Sequence, residues 1–331
     1  MTDPIPSLVA GDVVLEHVVQ VVVAGLAVRL ESNAQEVVSA ARLRYAAPVD
    51  TQPAPACRLQ IQVQRGGEAS PGGMDAMDVR WRFPDRDHAV VSAPGLAATV
   101  DMAGGNAVVH VDESFVRNEA QFRRTVIEGI LLTLLTRRDR HPIHAAALRA
   151  GDAALLLHGP SGVGKSTLAY VAYRAGIDVL ADDAARVQLE PEFRVWGDGV
   201  RPRIHLAEGA RDEFSELRGH TAQRLSSDSV RKLAVELRSP SAPWSPFARA
   251  ARVCLLARRG GAVAVRDASP KEIRDTLINA PEAAFDLAPE QRQRVVTALA
   301  VAGGWHLTLS HHAVEAIPHL QTMLAQSGAS K

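Results

Sequence analysis

Residues Gly159-Pro160-Ser161-Gly162-Val163-Gly164-Lys165-Ser166-Thr167 constrain this chain more than any other stretch, because they demand a strand, a tight loop and a helix in that order. They match the pattern G-x-x-x-x-G-K-[ST]. Glycines let the backbone adopt positive φ and approach an anion closely. The loop then turns amide N–H groups inward and opens a helix whose N-terminus carries partial positive charge. Lys165 adds a full charge where the β and γ phosphates of a nucleoside triphosphate lie, and the Ser166 hydroxyl can ligate Mg²⁺. A chance match is expected in about one chain in a hundred of this length. The flanks lower that further: the apolar run Ala154-Leu155-Leu156-Leu157 precedes the loop, and Leu168, Val171, Ala172 and Ala175 mark one face of a helix after it.

Asp182-Asp183 follows a short strand, Asp178 to Ala181. One helix and one strand separate the pair from the loop, so this strand end can return beside it. A phosphate-bound Mg²⁺ takes a carboxylate, directly or through water. A hydroxyl nucleophile needs a group to accept its proton. Two adjacent acids can divide these tasks. His144, in His141-Pro142-Ile143-His144-Ala145-Ala146-Ala147, reads on its own as a satisfied histidine at a strand start.

Taken together, His144, the loop Gly159 to Ser166 and Leu180-Ala181-Asp182-Asp183 resemble the catalytic domain of the HPr kinase/phosphorylase family. The resemblance is specific over 141–190 and diffuse to about 325. It implies an α/β fold with a P-loop kinase core related to phosphoenolpyruvate carboxykinase. It also implies ATP with Mg²⁺ and transfer to a serine hydroxyl. By the same resemblance Asp182 is the proton acceptor, assisted by His144, and Asp183 serves the metal with Ser166. The family's bifunctional members carry a Glu-Ile-Arg-Gly-Leu-Gly-like signature after the acids. Here the matching region reads Gly199-Val200-Arg201-Pro202-Arg203-Ile204-His205-Leu206. The expectation is therefore a divergent kinase whose acceptor is a hydroxyl of another protein, a peptide or a small molecule. A metabolite kinase of the shikimate-kinase type and a nucleotide-dependent switch are the rivals. The absence of a Leu-Ser-Gly-Gly-Gln segment argues against a transporter ATPase.

Two domains are expected from 331 residues: a mixed α+β domain over 1–138 and the P-loop domain over 139–331. In the first, Val18 to Leu30 is strand-like, Asn33 to Tyr45 reads as a helix, and Arg58 to Gln64 alternates as a half-buried strand does. Val79, Trp81 and Phe83 share a face before the turn Pro84-Asp85-Arg86-Asp87, and strands Leu96 to Asp101 and Ala107 to Val111 flank Gly104-Gly105-Asn106. Asn118 to Thr136 reads as a helix capped by Asn118 with Gln121 in a capping box, closed by Arg137, Arg138 and Arg140. In the second, strands are expected at Ala153 to His158, Val230 to Leu237, Val253 to Ala257 and Ala262 to Arg266. Helices are expected at Lys165 to Ala175, from Ser269, at Pro289 to Ala302 and at Val314 to Ala325.

Lys plus Arg and Asp plus Glu both total 37, for zero formal net charge. No basic field draws the chain to nucleic acid or anionic lipid. The run Val18 to Leu30 is broken by Gln20, Gly25 and Arg29, and Met1-Thr2-Asp3-Pro4 has no basic n-region, so a cytoplasmic protein is expected. Cys57 and Cys254 read as buried thiols. Arg201, Arg203, Arg231 and Lys232 are candidates for contacts to triphosphate or substrate. His306, His311, His312 and His319 read as structural. Related enzymes form oligomers, so a homo-oligomer is possible on the resemblance.

Overall fold

A computed structural model describes residues 13–45, 54–66, 79–197, 199, 202–220, 222–224, 231–237, 246–280 and 287–328. It is a mixed α/β structure with several sheets. The chain divides into two compact units: Met1–Arg138 with Arg224–Val230, and Asp139–Gln223 with Arg231–Lys331.

The first unit is built on a sheet in the order β1-β2-β3-β7-β6-β5-β4. Its strands are β1 (His17–Val23), β2 (Leu26–Ser32), β3 (Cys57–Gln64), β4 (Arg80–Arg82), β5 (His88–Ala93), β6 (Leu96–Asp101) and β7 (Asn106–Asp112). The apolar run that reads as one strand is a hairpin. Ala24 (φ 46°) and Gly25 (φ 77°) turn the chain between β1 and β2, and two positive φ values give a turn whose twist matches that of the strands. Helix α1 (Gln35–Arg44) follows β2. Asn33 does not cap it, because its side-chain amide pairs with both backbone groups of Val63, at 2.7 and 2.9 Å.

The second helical stretch begins earlier than expected, at α2 (Glu113–Arg117), and breaks at Asn118. It continues through α3 (Glu119–Phe122), a π-helical segment Arg123–Ile130 and α4 (Leu131–Leu135). Asn118 Oδ1 accepts from Gln121 N at 3.4 Å, but the Gln121 side chain donates to Thr125 Oγ1, so no capping box closes. The expected stripe is buried throughout: Phe122, Val126, Ile127, Ile130, Leu131, Leu134 and Leu135. Arg137 reaches Arg86 O and Asp87, while Arg138 reaches carbonyls of Ala56, Met102 and Ala103, so these cations tie loops of the sheet rather than cap the helix.

The second unit begins with β8 (His141–Ile143), β9 (Ala146–Ala150), β10 (Ala153–His158), α5 (Lys165–Arg174), β11 (Asp178–Ala181), β12 (Ala185–Gln188) and β13 (Arg194–Trp196). It continues with β14 (Arg203–Ala207), α6 (Ala210–Glu213), β15 (Ala222–Arg224), β16 (Arg231–Glu236), β17 (Phe247–Ala248), β18 (Ala250–Arg258) and β19 (Ala264–Ala268). Helices α7 (Pro270–Ile278) and α8 (Pro289–Ala302), strand β20 (Gly304–Leu309) and helix α9 (Ile317–Gly328) complete it. The expected helix from Val314 is split, since Ala313–Ala316 is a 3₁₀ turn. Strands β12, β13, β14, β15, β17 and β20 are additions to the expected elements.

The main sheet has the order β11-β9-β10-β18-β20-β19. β10, β18 and β20 are parallel, whereas β9 is antiparallel to both β10 and β11. All six residues of β10 are buried, the continuous apolar pattern of a strand covered on both faces. Leu155 and Leu157 join a core with Leu168, Ala172, Leu320 and Leu324. Ala154 and Leu156 face the other way, into Ile273, Leu277, Val296 and Leu299. Each such leucine contributes about 1.5–3 kcal/mol on burial. Smaller sheets, β17-β13-β12-β8 and β14-β16-β15, complete the unit. Cys57 and Cys254 are both buried and free. Among the described residues, no helix is long and apolar enough to cross a membrane.

Helix α7 opens with the expected capping box: Ser269 Oγ accepts from Glu272 N, and Glu272 Oε2 accepts from Ser269 N at 2.8 Å. The Arg266 hydrogen bond, followed by the Ser269 N–H, holds the Glu272 carboxyl well below the usual carboxylate range. A depressed folded value stabilises the fold above the unfolded value and loses that contribution as pH falls. Glu272→Gln should therefore lower the melting temperature at pH 7. The difference from wild type should shrink as pH drops below about 4.3, as calorimetry over a pH series would read.

Candidate functional site

The parallel run of β10, β11, β18 and β20, with β9 reversed between β11 and β10, brings four strand C-termini and one N-terminus to a single sheet edge. Ligands of open α/β sheets bind at such carboxyl edges. From this edge emerge the loop after His158, the acids after Ala181, Arg258 at the end of β18, and His144 just before β9.

The loop has the conformation its glycines permit. Gly162 and Gly164 take φ of 79° and 109°, values costly for any residue with a Cβ. A Cβ on Gly159 would meet Leu256 O at 3.0 Å, so this glycine lets the loop press onto β18. Val163 N donates to Pro160 O inside the turn, and Leu168 N donates to Gly164 O as the first bond of α5. Lys165 is buried and donates to Gly159 O at 2.7 Å, with Pro160 O at 3.5 Å. Ser161 and Gly162 are exposed, and Ser166 and Thr167 are half-buried at the helix start. The first N–H groups of any α-helix have no partner within the helix, so α5 directs donors at this edge. The glycine cradle, the buried ammonium and the helix start fit a phosphate group.

The acids differ sharply in environment. The Asp182 side chain is 3% exposed and that of Asp183 is 74%. Asp182 Oδ2 accepts the His205 N–H from β14 at 2.8 Å. Asp183 Oδ1 lies 3.3 Å from His144 Nδ1. The resemblance joins His144 to Asp182, and in the structure His144 lies against the neighbouring Asp183. His158, the last residue of β10, donates from Nδ1 to His144 O at 2.8 Å. That bond fixes the His158 tautomer and holds the His144 backbone beside the loop.

Two backbone features aim the acids. Asp178 pairs with Arg149 across the β11–β9 register, at 2.6 Å with both side chains buried. Further along β11 the register slips between Val179 and Ala181, leaving Leu180 as a bulge. Bulges turn the strand and re-aim the residues beyond them. Gly197 sits against this bulge, since a Cβ there would come within 2.5 Å of Leu180 O.

The other candidates are accounted for elsewhere. Arg203 pairs with Glu236 at 2.6 Å, and Arg231 donates to Ala222 O. Both brace the β14-β16-β15 sheet. Lys232, in β16, lies in that sheet too, and Arg201 is outside the described residues. His306 pairs with Glu272. His311, His312 and His319 are exposed, and a Cβ on Gly260 would lie 3.5 Å from His311 Nε2. Among the described residues, no group of three or more His, Cys, Asp or Glu converges on a metal position. His158, His205 and Arg258 also reach this edge and are not among the residues expected from sequence. Arg258-Arg259 before Gly260-Gly261 was the available signal for the last, a basic pair where a strand ends in a turn.

No protein-family model matches this chain, and no curated protein matches it. Among solved structures, the Hpr(Ser) kinase/phosphatase from Coxiella burnetii aligns with 57% of this chain and 96% of its own, at 14% identity and a TM-score of 0.26.

Removing one partner of a buried ion pair leaves an uncompensated charge, costing about 3–5 kcal/mol. Asp178→Ala should therefore destabilise the chain by about that much in urea unfolding. The double variant Arg149→Leu/Asp178→Leu should recover most of the loss.

Proposed function

We propose that this chain is an ATP-dependent kinase that moves the γ-phosphoryl group to a hydroxyl, that of a serine in a protein or peptide. On this reading the second unit is a P-loop kinase core related to phosphoenolpyruvate carboxykinase, and the first an N-terminal α+β domain. One observation carries it: a glycine cradle with a buried ammonium shares a sheet edge with an exposed carboxylate 3.3 Å from an imidazole. A switch that only holds nucleotide has no need of the second half of that arrangement.

The loop Gly159 to Thr167 would hold the triphosphate through its amides. Lys165, now resting on Gly159 O, would exchange that carbonyl for phosphate oxygens. Ser166 and the acid pair would hold Mg²⁺, which when bound neutralises charge on the phosphates. The exposed Asp183, oriented by His144, is the group we assign to take the proton from the acceptor hydroxyl. Asp182, buried and held by the His205 N–H, would fix the strand end from which Asp183 projects. The exposure of Asp183 supports this assignment, since a general base must reach the proton it abstracts.

The full chain should label a protein in cell extract when given γ-labelled ATP and Mg²⁺, and Lys165→Ala should abolish the labelling. Asp183→Asn should lower transfer by about 10²–10⁴-fold, with calorimetric affinity for Mg·ADP falling far less than transfer does. Asp182→Asn, which keeps an acceptor for the His205 N–H, should retain more transfer than Asp183→Asn. The reverse order would return the proton to Asp182. Label on a small molecule alone would make the chain a metabolite kinase. ADP release with no labelled product would make it an ATPase module.

A further inference from the structure

The second unit holds a cation at the phosphate edge that the reading above leaves unused. Arg258 is the last residue of β18, the strand beside β10. A Cβ on Gly164 would stand 2.9 Å from its Nη2. The guanidinium therefore lies directly over the glycine that precedes Lys165. The side chain is exposed, and among the described residues it has no carboxylate or carbonyl partner. Other arginines of this unit are committed: Arg249 to Asp152, Arg266 to Glu272, Arg203 to Glu236. An unpaired guanidinium carried by a strand end and lying over a glycine-rich loop can receive an anion there, because its planar fork matches phosphate oxygens in pairs.

We propose that Arg258 is a catalytic residue, supplied by the same chain, whose guanidinium binds the transferring phosphoryl group. The proposal rests on the kinase reading. In the transfer, the bond from the γ phosphorus to the β–γ bridging oxygen breaks and its electron pair stays on that oxygen as ADP leaves. A bond forms from the phosphorus to the acceptor oxygen, whose proton passes to Asp183. Charge gathers on the bridging and equatorial oxygens as the reaction proceeds. A guanidinium over Gly164 meets those oxygens from the β18 side, while Lys165 meets them from inside the loop. Arg258 thus acts more strongly on the transition state than on bound ADP. Such a group raises turnover rather than ground-state affinity.

The test uses the full chain with Mg·ADP alone, then with aluminium fluoride added as a planar mimic of the phosphoryl group. Wild type should bind Mg·ADP and tighten further with the fluoride. Arg258→Ala should bind Mg·ADP within about twofold of wild type, yet lose roughly a hundredfold or more of the affinity that fluoride adds. Arg258→Gln, which keeps an uncharged stem, should behave the same, and Arg258→Lys should recover only part. Melting temperatures of all three should match wild type, since the side chain is exposed. Wild type that fails to bind Mg·ADP sinks the kinase reading itself. If wild type binds it and gains nothing from fluoride, or gains it equally with Arg258→Ala, the kinase reading stands and the Arg258 assignment is overturned.

Discussion

The buried pair Arg149–Asp178 is the contact on which the arrangement of the site depends. β11 is a four-residue edge strand, and few backbone bonds set its register against β9. A slip of one residue would flip every side chain to the other face. A charge pair at 2.6 Å in the interior makes that slip unaffordable, because a displaced register would strand two unpaired ions away from water. With β11 fixed, the acids leave the sheet beside the segment that leads into β9, and His144, two residues before that strand, lies 3.3 Å from Asp183.

The glycine-rich loop after β10 is held by a different principle. Its backbone is held in shapes that cost energy for most residues, and the surrounding core enforces them. Gly159 is pressed to β18 and Val163 packs against it, while Lys165 fills the middle and binds a carbonyl of the loop it serves. Donors that are already oriented lose little freedom when an anion arrives, the general advantage of preorganised electrostatics.

The parts of the fold that sequence made legible are those with dense local signals. β10, β11 and α8 fall at the expected limits. A fully apolar run, a strand bounded by Gly176 and the acids, and a Pro-led helix closed by Gly303 each mark their own ends. The box at Ser269 and Glu272 was readable for the same reason. What escaped depended on distant partners. Gly25 is the one local sign of a turn inside the apolar run, and only the pairing of β1 with β2 makes Ala24 a turn residue beside it. Gln121 had the right spacing for a box but found Thr125 instead. In the site, the loop and the acids could be listed from spacing and His144 through the family resemblance, yet the approach of His144 to Asp183 comes from the chain path that sets β11 beside β9. Arg258 lies far along the chain from the loop, and only the β10–β18 pairing brings them together.

The Leu180 bulge joins things that the strand order keeps apart. Its carbonyl is covered by Gly197, which directly follows β13. β13 pairs with β17, and β17 runs through a single residue into β18, whose far end is Arg258. The backing of the carboxylates and the root of the arginine are thus two ends of one continuous brace. A substitution in the small β17-β13-β12-β8 sheet would shift both ends of that brace together.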